Sequence, residues 1–345
     1  MVKTTTDRKN LDSCDLYKIV ASFVILFIHT RPMGDSLFHL EHPLVRLCVP
    51  VFFMISAFLF FSSYDILPAE NKKKALWKFI KRTLSLYLFW FILLLPFTYI
   101  YRDARHNGII HMLGSSFPGS WFLEALPLAV LLNVALDRGI GRYIFPVFSL
   151  VCYFFCLGQF TYRPLADKLP FLANIYNNTE QQFPGIIFAD SVLVALIWVW
   201  LGRMYVRYEN RLNSAKMKNV ILGFVISYIL LAIEHVTLYR NGWFTMHNDV
   251  YLLLLPACVF LFIFVYKLNV HLKHAVLCRN LSTIIYCFHQ SFIVFLTTYI
   301  IYPKYGAYEL PISLFCTLLT IVVTLAVSAV ILLLSRKYKI FRYAY

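Results

Sequence analysis

The chain has 345 residues, 60% of them apolar and 14% charged, with a formal charge of +15. A soluble domain carries about a quarter charged residues, so water is excluded as the main solvent. The positive excess therefore implies no nucleic-acid partner, because Lys and Arg hold loops on the cytoplasmic side of a bilayer.

The opening stretch, Met1 to Asn10, is polar and basic, and the apolar run after it has no small-residue cleavage site, so the first span is expected to be retained. A bilayer crossing needs about 17–25 apolar residues, and ten segments qualify. They are approximately Leu16–Thr30 (extended downward by Asp12–Asp15), Pro43–Ser63, Leu76–Tyr101, Gly119–Leu136 and Tyr143–Gly158 in the first half. Gly185–Met204, Val220–Leu238, Val250–Tyr266, Leu281–Ile301 and Leu310–Leu334 follow. Backbone groups in hydrocarbon must be satisfied within their own segment, which predicts helices throughout. The predicted fold is an all-α, polytopic bundle of ten spans forming a single domain over 1–345, multi-pass in the cell membrane.

With the N-terminus inside, 23 of the 32 Lys and Arg fall in cytoplasmic segments, eight fall outside, and Lys18 lies within a span. That bias predicts both termini in the cytoplasm. The longest outer loop runs from Gln159 to Pro184. The eight cysteines show no metal or redox spacing and read as small apolar side chains.

Charged groups inside a membrane are costly and so mark function. The first span carries Asp15, Lys18, Ser22 and His29. At about 100° per residue, Lys18 and His29 differ by about 20°, with Asp15 and Ser22 within about 40° of His29. They form one stripe facing a cavity or other helices. About 16 Å along the axis separates Lys18 from His29, so the two would serve different parts of one long substrate. Taken singly, Lys18 also fits a lysine snorkelling to the interface, and His29 an interfacial histidine bonded to a neighbour.

Several stretches resemble the integral-membrane acyltransferase 3 family. Leu16 through Ala21 and Val24 through Thr30 look like its opening, with a basic residue, ten intervening positions and a histidine, matched by Lys18 and His29. Val49-Pro50-Val51-Phe52-Phe53-Met54-Ile55-Ser56 resembles its second-span signature. Trp121 through Leu126 and Leu281 through His289 resemble later ones. The chain departs from the family in having Ser56-Ala57 for Ser-Gly, and Lys78 with Lys81, or Arg82 with Ser85, where paired arginines often stand. The resemblance covers essentially the whole chain. It implies an acyltransferase for groups other than aminoacyl groups, moving an acyl group, by default acetyl, from cytoplasmic acyl-CoA to a carbohydrate hydroxyl. The acceptor would be an envelope or exported polysaccharide, or a lipid-linked sugar. No metal is implied.

Acyl transfer to a hydroxyl needs a base and a stabilised oxyanion. His29 is the candidate base, or a transient acyl carrier. His289 is the second candidate. Ser282, Tyr286 and His289 share a helical face, and equally fit helix–helix hydrogen bonding. Glu124 is placed to orient a histidine or bind sugar hydroxyls, whereas Glu234 and His235 are expected to be solvated near a helix end. Lys78, Lys81 and Arg82 are candidates for the phosphates of coenzyme A, the alternative being that they set topology or attract anionic lipid. The competing function is a transporter or flippase of a glycan or lipid-linked sugar.

Overall fold

In the computed structural model every regular element among the described residues is helical, as hydrocarbon requires. The structure describes residues 11–32, 34–96, 117–137, 139–183, 188–243, 248–268, 270–301 and 310–345, apart from the side chains of 34–37 and 310. The stretch Met1 to Asn10, the end of the third expected span (97–101), the start of the sixth (185–187), and Arg102, Arg105, Arg138 and Lys304 lie outside the described residues.

The helices are α1 (Asp12–Val24), α2 (Leu26–Thr30), α3 (Gly34–Arg46), α4 (Cys48–Tyr64), α5 (Ala69–Leu93), α6 (Trp121–Leu136), α7 (Gly141–Gln159) and α8 (Arg163–Ala166). They continue as α9 (Pro170–Gln182), α10 (Val192–Arg207), α11 (Glu209–Ser214), α12 (Met217–Arg240), α13 (Leu254–Lys267), α14 (Ala275–Leu296) and α15 (Leu310–Lys337).

Among the described residues six stretches are long and apolar enough to cross a membrane: Asp12–Thr30, Phe38–Tyr64, Gly141–Gln159, Met217–Arg240, Ala275–Ile301 and Pro311–Lys337. Ten were expected, and the differences have local causes. The first span is interrupted at Ile25, between α1 and α2. The third helix begins at Ala69, before the apolar run, because Pro68 and the good helix formers after it start a helix without needing apolarity. Lys72–Lys74, which precede the third expected span, are therefore helical. The sixth helix starts at Val192, where Ser191 accepts from the Leu193 N–H as its cap. α6 and α13 have only 16 and 14 residues. The long outer loop is not irregular either: it holds α8 and α9, tied by Arg163 to Asp167, Glu180 and Asn177.

α4 is apolar on every side, which is the pattern of a central helix. Val51, Phe53, Met54, Ile55, Ala57 and Phe61 are at most 1% exposed. It packs against α1, α5, α6, α10 and α13. The closest approach is made by Gly202 of α10, where a Cβ would lie 2.5 Å from the Met54 carbonyl oxygen and 2.8 Å from the Ala57 Cβ. Gly202→Ala is therefore expected to cost about 1–3 kcal/mol through overpacking, measured as a lowered melting temperature of the purified protein. The peripheral helices expose large apolar residues outward, among them Val147, Ile229, Phe315 and Val322. All eight cysteines are free, and seven are buried.

Ionic contacts mark the two ends of the bundle. At one end Asp15 pairs with Arg279, and Arg203 joins Asp65 to Asp137. At the other, Arg46 pairs with Asp249 and Tyr162 donates to Glu234.

Candidate active site

The polar stripe of α1 and α2 faces α14. Asp15 is 2% exposed and accepts both arms of the Arg279 guanidinium, at 3.0 Å from Nε and 2.6 Å from Nη2. Such a bidentate pair fixes geometry as well as charge. Asp15 thus clamps α1 to α14 across 264 residues of sequence. Lys18, one turn further, is half-buried and within electrostatic reach of Asp15, Arg279 and Arg82. Ser22 is fully buried and returns its hydroxyl to the Ile19 carbonyl.

The structure brings His29 and His289 together. Their ring centroids are 5.8 Å apart with 39° between planes. α2 is held for this by Thr30, whose hydroxyl donates to the Leu26 carbonyl and receives one from Thr317 of α15. The chain then turns sharply at Arg31, whose φ of 46° is left-handed, an uncommon conformation for a residue with a Cβ. His289 is 1% exposed. Its Nδ1 sits 3.0 Å and 2.8 Å from the Ile285 and Tyr286 carbonyl oxygens. Both partners accept only, so Nδ1 carries the hydrogen and Nε2 presents a lone pair. No hydrogen-bond partner for that Nε2 exists among the described residues.

Tyr286 lies one turn before, its ring 6.0 Å from that of His289, and its hydroxyl donates to the Gly119 carbonyl. Gly119 has a φ of +80°, and a Cβ there would lie 2.7 Å from Oε1 of Gln290. The positive φ favours glycine here, where the chain entering α6 passes against the Gln290 side chain. Glu124, in the first turn of α6, is within electrostatic reach of Tyr286.

The basic candidates of α5 divide. Arg82 reaches Lys18. Lys81 lies over the ring of Trp77, its Nζ 5.5 Å from the centroid, and Lys78 is exposed. Arg279 and Lys18 stand near the Asp15 carboxylate, and Arg82 is within electrostatic reach of Lys18. In the sequence Arg279 is only one of the cytoplasmic Lys and Arg residues, and nothing local indicates a partner 264 residues away.

A second cluster, at the end of the bundle beyond His29, was not foreseen. Glu234 and His235, expected in solvent, are 9% and 0% exposed. Glu234 accepts from the Leu252 and Leu253 backbone N–H groups and the Tyr162 hydroxyl. His235 stacks on His42 at 4.9 Å and meets Nδ1 of His39 through its Nε2 at 3.2 Å. Arg46, counted among the outer-side charges, donates from Nε to His42 and is within electrostatic reach of His29. The helical spacing of His39, His42 and Arg46 was the available signal. Their partner on α12 was not readable.

These features define a helical membrane protein that encloses a pair of imidazoles between a cationic end and a histidine-rich end. The chain belongs to the acyltransferase 3 family, whose acyltransferase-domain model matches residues 11–333. Among curated proteins it is similar to an amino-acid racemase of Enterococcus faecalis, 25% identical over 346 residues, covering 94% of this chain and 46% of that protein. It is also similar to a serine/alanine racemase of Enterococcus gallinarum, 25% identical over 282 residues, covering 74% of this chain and 37% of the relative. The chain thus spans less than half the length of either relative. No solved structure matches it.

Proposed function

We propose that the protein moves an acyl group, by default acetyl, from acyl-CoA to a hydroxyl of a carbohydrate acceptor such as an envelope or exported polysaccharide or a lipid-linked sugar. The family supports acyl transfer. The observation that carries the site is the His29–His289 pair, its ring centroids 5.8 Å apart. The topology that goes with it is ten crossings of the cell membrane with both termini on the donor side.

The phosphates of coenzyme A would bind at the end carrying Lys18, Arg82 and Arg279, where Arg82 and Arg279 supply planar donors. The thioester would then reach along the stripe to His29, and the acceptor would come from the end carrying His39 and His235. His29 takes the proton of the acceptor hydroxyl as its oxygen attacks the thioester carbonyl. The carbon–sulfur bond breaks and the proton passes to the thiolate, leaving an ester and free coenzyme A. A small ring rotation would bring a nitrogen of His29 to the His289 lone pair, which would orient His29 and share its charge. Stabilising this charge at an enclosed site is worth far more than in water.

The test compares purified envelope or exported glycan from cells with and without the gene by mass spectrometry. Acyl-sized mass increments should disappear with the gene. Unchanged glycan, together with no consumption of acetyl-CoA by the purified protein, would favour the transporter instead.

The relatives' names supply one further reading, amino-acid racemisation, for which paired imidazoles would serve proton exchange at an α-carbon. Those names describe proteins more than twice the length of the matching segment. Incubation with L-serine and L-alanine followed by chiral chromatography separates this reading from acyl transfer.

A further inference from the structure

α15 carries Ser313, Thr317, Thr320, Thr324 and Ser328, spaced as one helical face, each at most 3% exposed. Phe315, Leu318, Val322 and Leu325, on its other sides, are 40–63% exposed. A helix otherwise fit for lipid thus turns a line of hydroxyls inward. Its upper end is fixed beside the imidazoles, since Thr317 Oγ1 donates to Thr30 Oγ1 at 2.8 Å. α14 runs antiparallel beside it, with Phe292 and Leu296 packed around Cys316 and Leu319. That register puts Thr324 near the height of His289, and Thr320 about one turn higher, towards Thr30 and His29.

Two of these hydroxyls lie within reach of a carbonyl of their own helix, Thr317 by that of Ser313 at 2.8 Å and Ser328 by that of Thr324 at 2.7 Å. The hydroxyls of Thr320 and Thr324, fully buried, have no hydrogen-bond partner among the described residues, and neither does Nε2 of His289. Buried polar groups without partners are costly and rare, and three at neighbouring heights imply an occupant that supplies hydrogen bonds.

We infer that the α15 hydroxyl line binds the amide-bearing arm of the acyl-thioester donor, which rests on the assignment of acyl-CoA as donor above. A lipid tail offers no hydrogen bond. Each secondary amide of a pantetheine-type arm offers one donor and one acceptor, the complement of a threonine hydroxyl. The lengths also agree. Thr317 to Ser328 spans eleven residues, about 16 Å of helix, as does Lys18 to His29. One strip therefore carries charge at its foot for phosphate and an imidazole at its head for the thioester, and the other flanks the arm between them. Thr320 and Thr324 are positioning residues that hold the thioester at His29.

The experiment measures steady-state kinetics of the full chain in lipid nanodiscs with acetyl-CoA and with S-acetyl-N-acetylcysteamine, a truncated donor with a single amide. Thr320→Val with Thr324→Val should raise the KM for acetyl-CoA about 5–50-fold, leaving the KM for the acceptor unmoved. Thr320→Ser with Thr324→Ser, which keeps the hydroxyls, should restore it. The truncated donor should respond to Thr320→Val and not to Thr324→Val. Unchanged acetyl-CoA kinetics in the folded valine pair would overturn the assignment and leave a water-lined seam. Should the valine pair fail to fold, Thr324→Val alone decides, an equal effect on both donors being the contrary result. A wild-type protein with no transfer from acetyl-CoA would instead remove the donor assignment itself.

Discussion

Replacing His29 by alanine is expected to lower the rate of acyl transfer about 10²–10⁴-fold, the usual contribution of a positioned general acid–base group, and to leave the fold intact. The stability expectation follows from its surroundings. His29 is half-buried, whereas α2 is anchored by fully buried Leu26 and Thr30 on either side. His289→Ala should behave differently. That ring is buried and bonded to two carbonyls of its own helix, so its loss opens a cavity and should lower melting temperature as well as rate. Initial rates paired with melting curves for both variants measure the difference. Full activity in His29→Ala would remove the histidine from the chemistry.

The largest loss of stability is expected at Arg203. This guanidinium is 5% exposed. It donates to both oxygens of Asp65, at 3.2 Å and 2.8 Å, and to Oδ1 of Asn133 at 2.7 Å. It also reaches Asp137 at 2.7 Å and lies over the ring of Phe61. Alanine there would leave Asp65 and Asp137 close together with Arg207 as the remaining cation on Asp137. Removing one partner of a buried charge network costs about 3–5 kcal/mol. Lysine should recover only part of this, since one ammonium cannot make the fork. Thermal unfolding of Arg203→Ala and Arg203→Lys in detergent provides the measure, and an unchanged midpoint for alanine would show that the network adds nothing. The basic residues there hold α4, α6 and α10 together in addition to any part they play in topology.

What could be read from the sequence was what periodicity and apolarity encode. The turn angle of a helix was enough to put Asp15, Lys18, Ser22 and His29 on one side, and the structure turns that side towards α14. Helix limits were less legible, because an apolar run and a helix are different quantities. α5 starts seven residues ahead of Leu76 for reasons of capping and propensity. Partners were not legible at all. That Asp15 would meet Arg279, or His29 meet His289, depends on how distant helices pack, and no local pattern carries that. The cluster of His39, His42 and His235 was hidden for the same reason, joined across 196 residues at His39. The hydroxyl spacing on α15 was present in the sequence, but in an apolar helix it resembles ordinary serine and threonine back-bonding. Only the missing partners of Thr320 and Thr324 set it apart.

Cysteine accessibility at position 29 bears most directly on the claim that a donor-accessible passage runs to the imidazole pair. With half-buried Cys278 changed to serine to lower background, His29→Cys should react with a water-soluble maleimide, and acetyl-CoA should slow that reaction in proportion to its occupancy. A thiol that stays unreactive, or one that is modified at the same rate with saturating acetyl-CoA, would contradict the account.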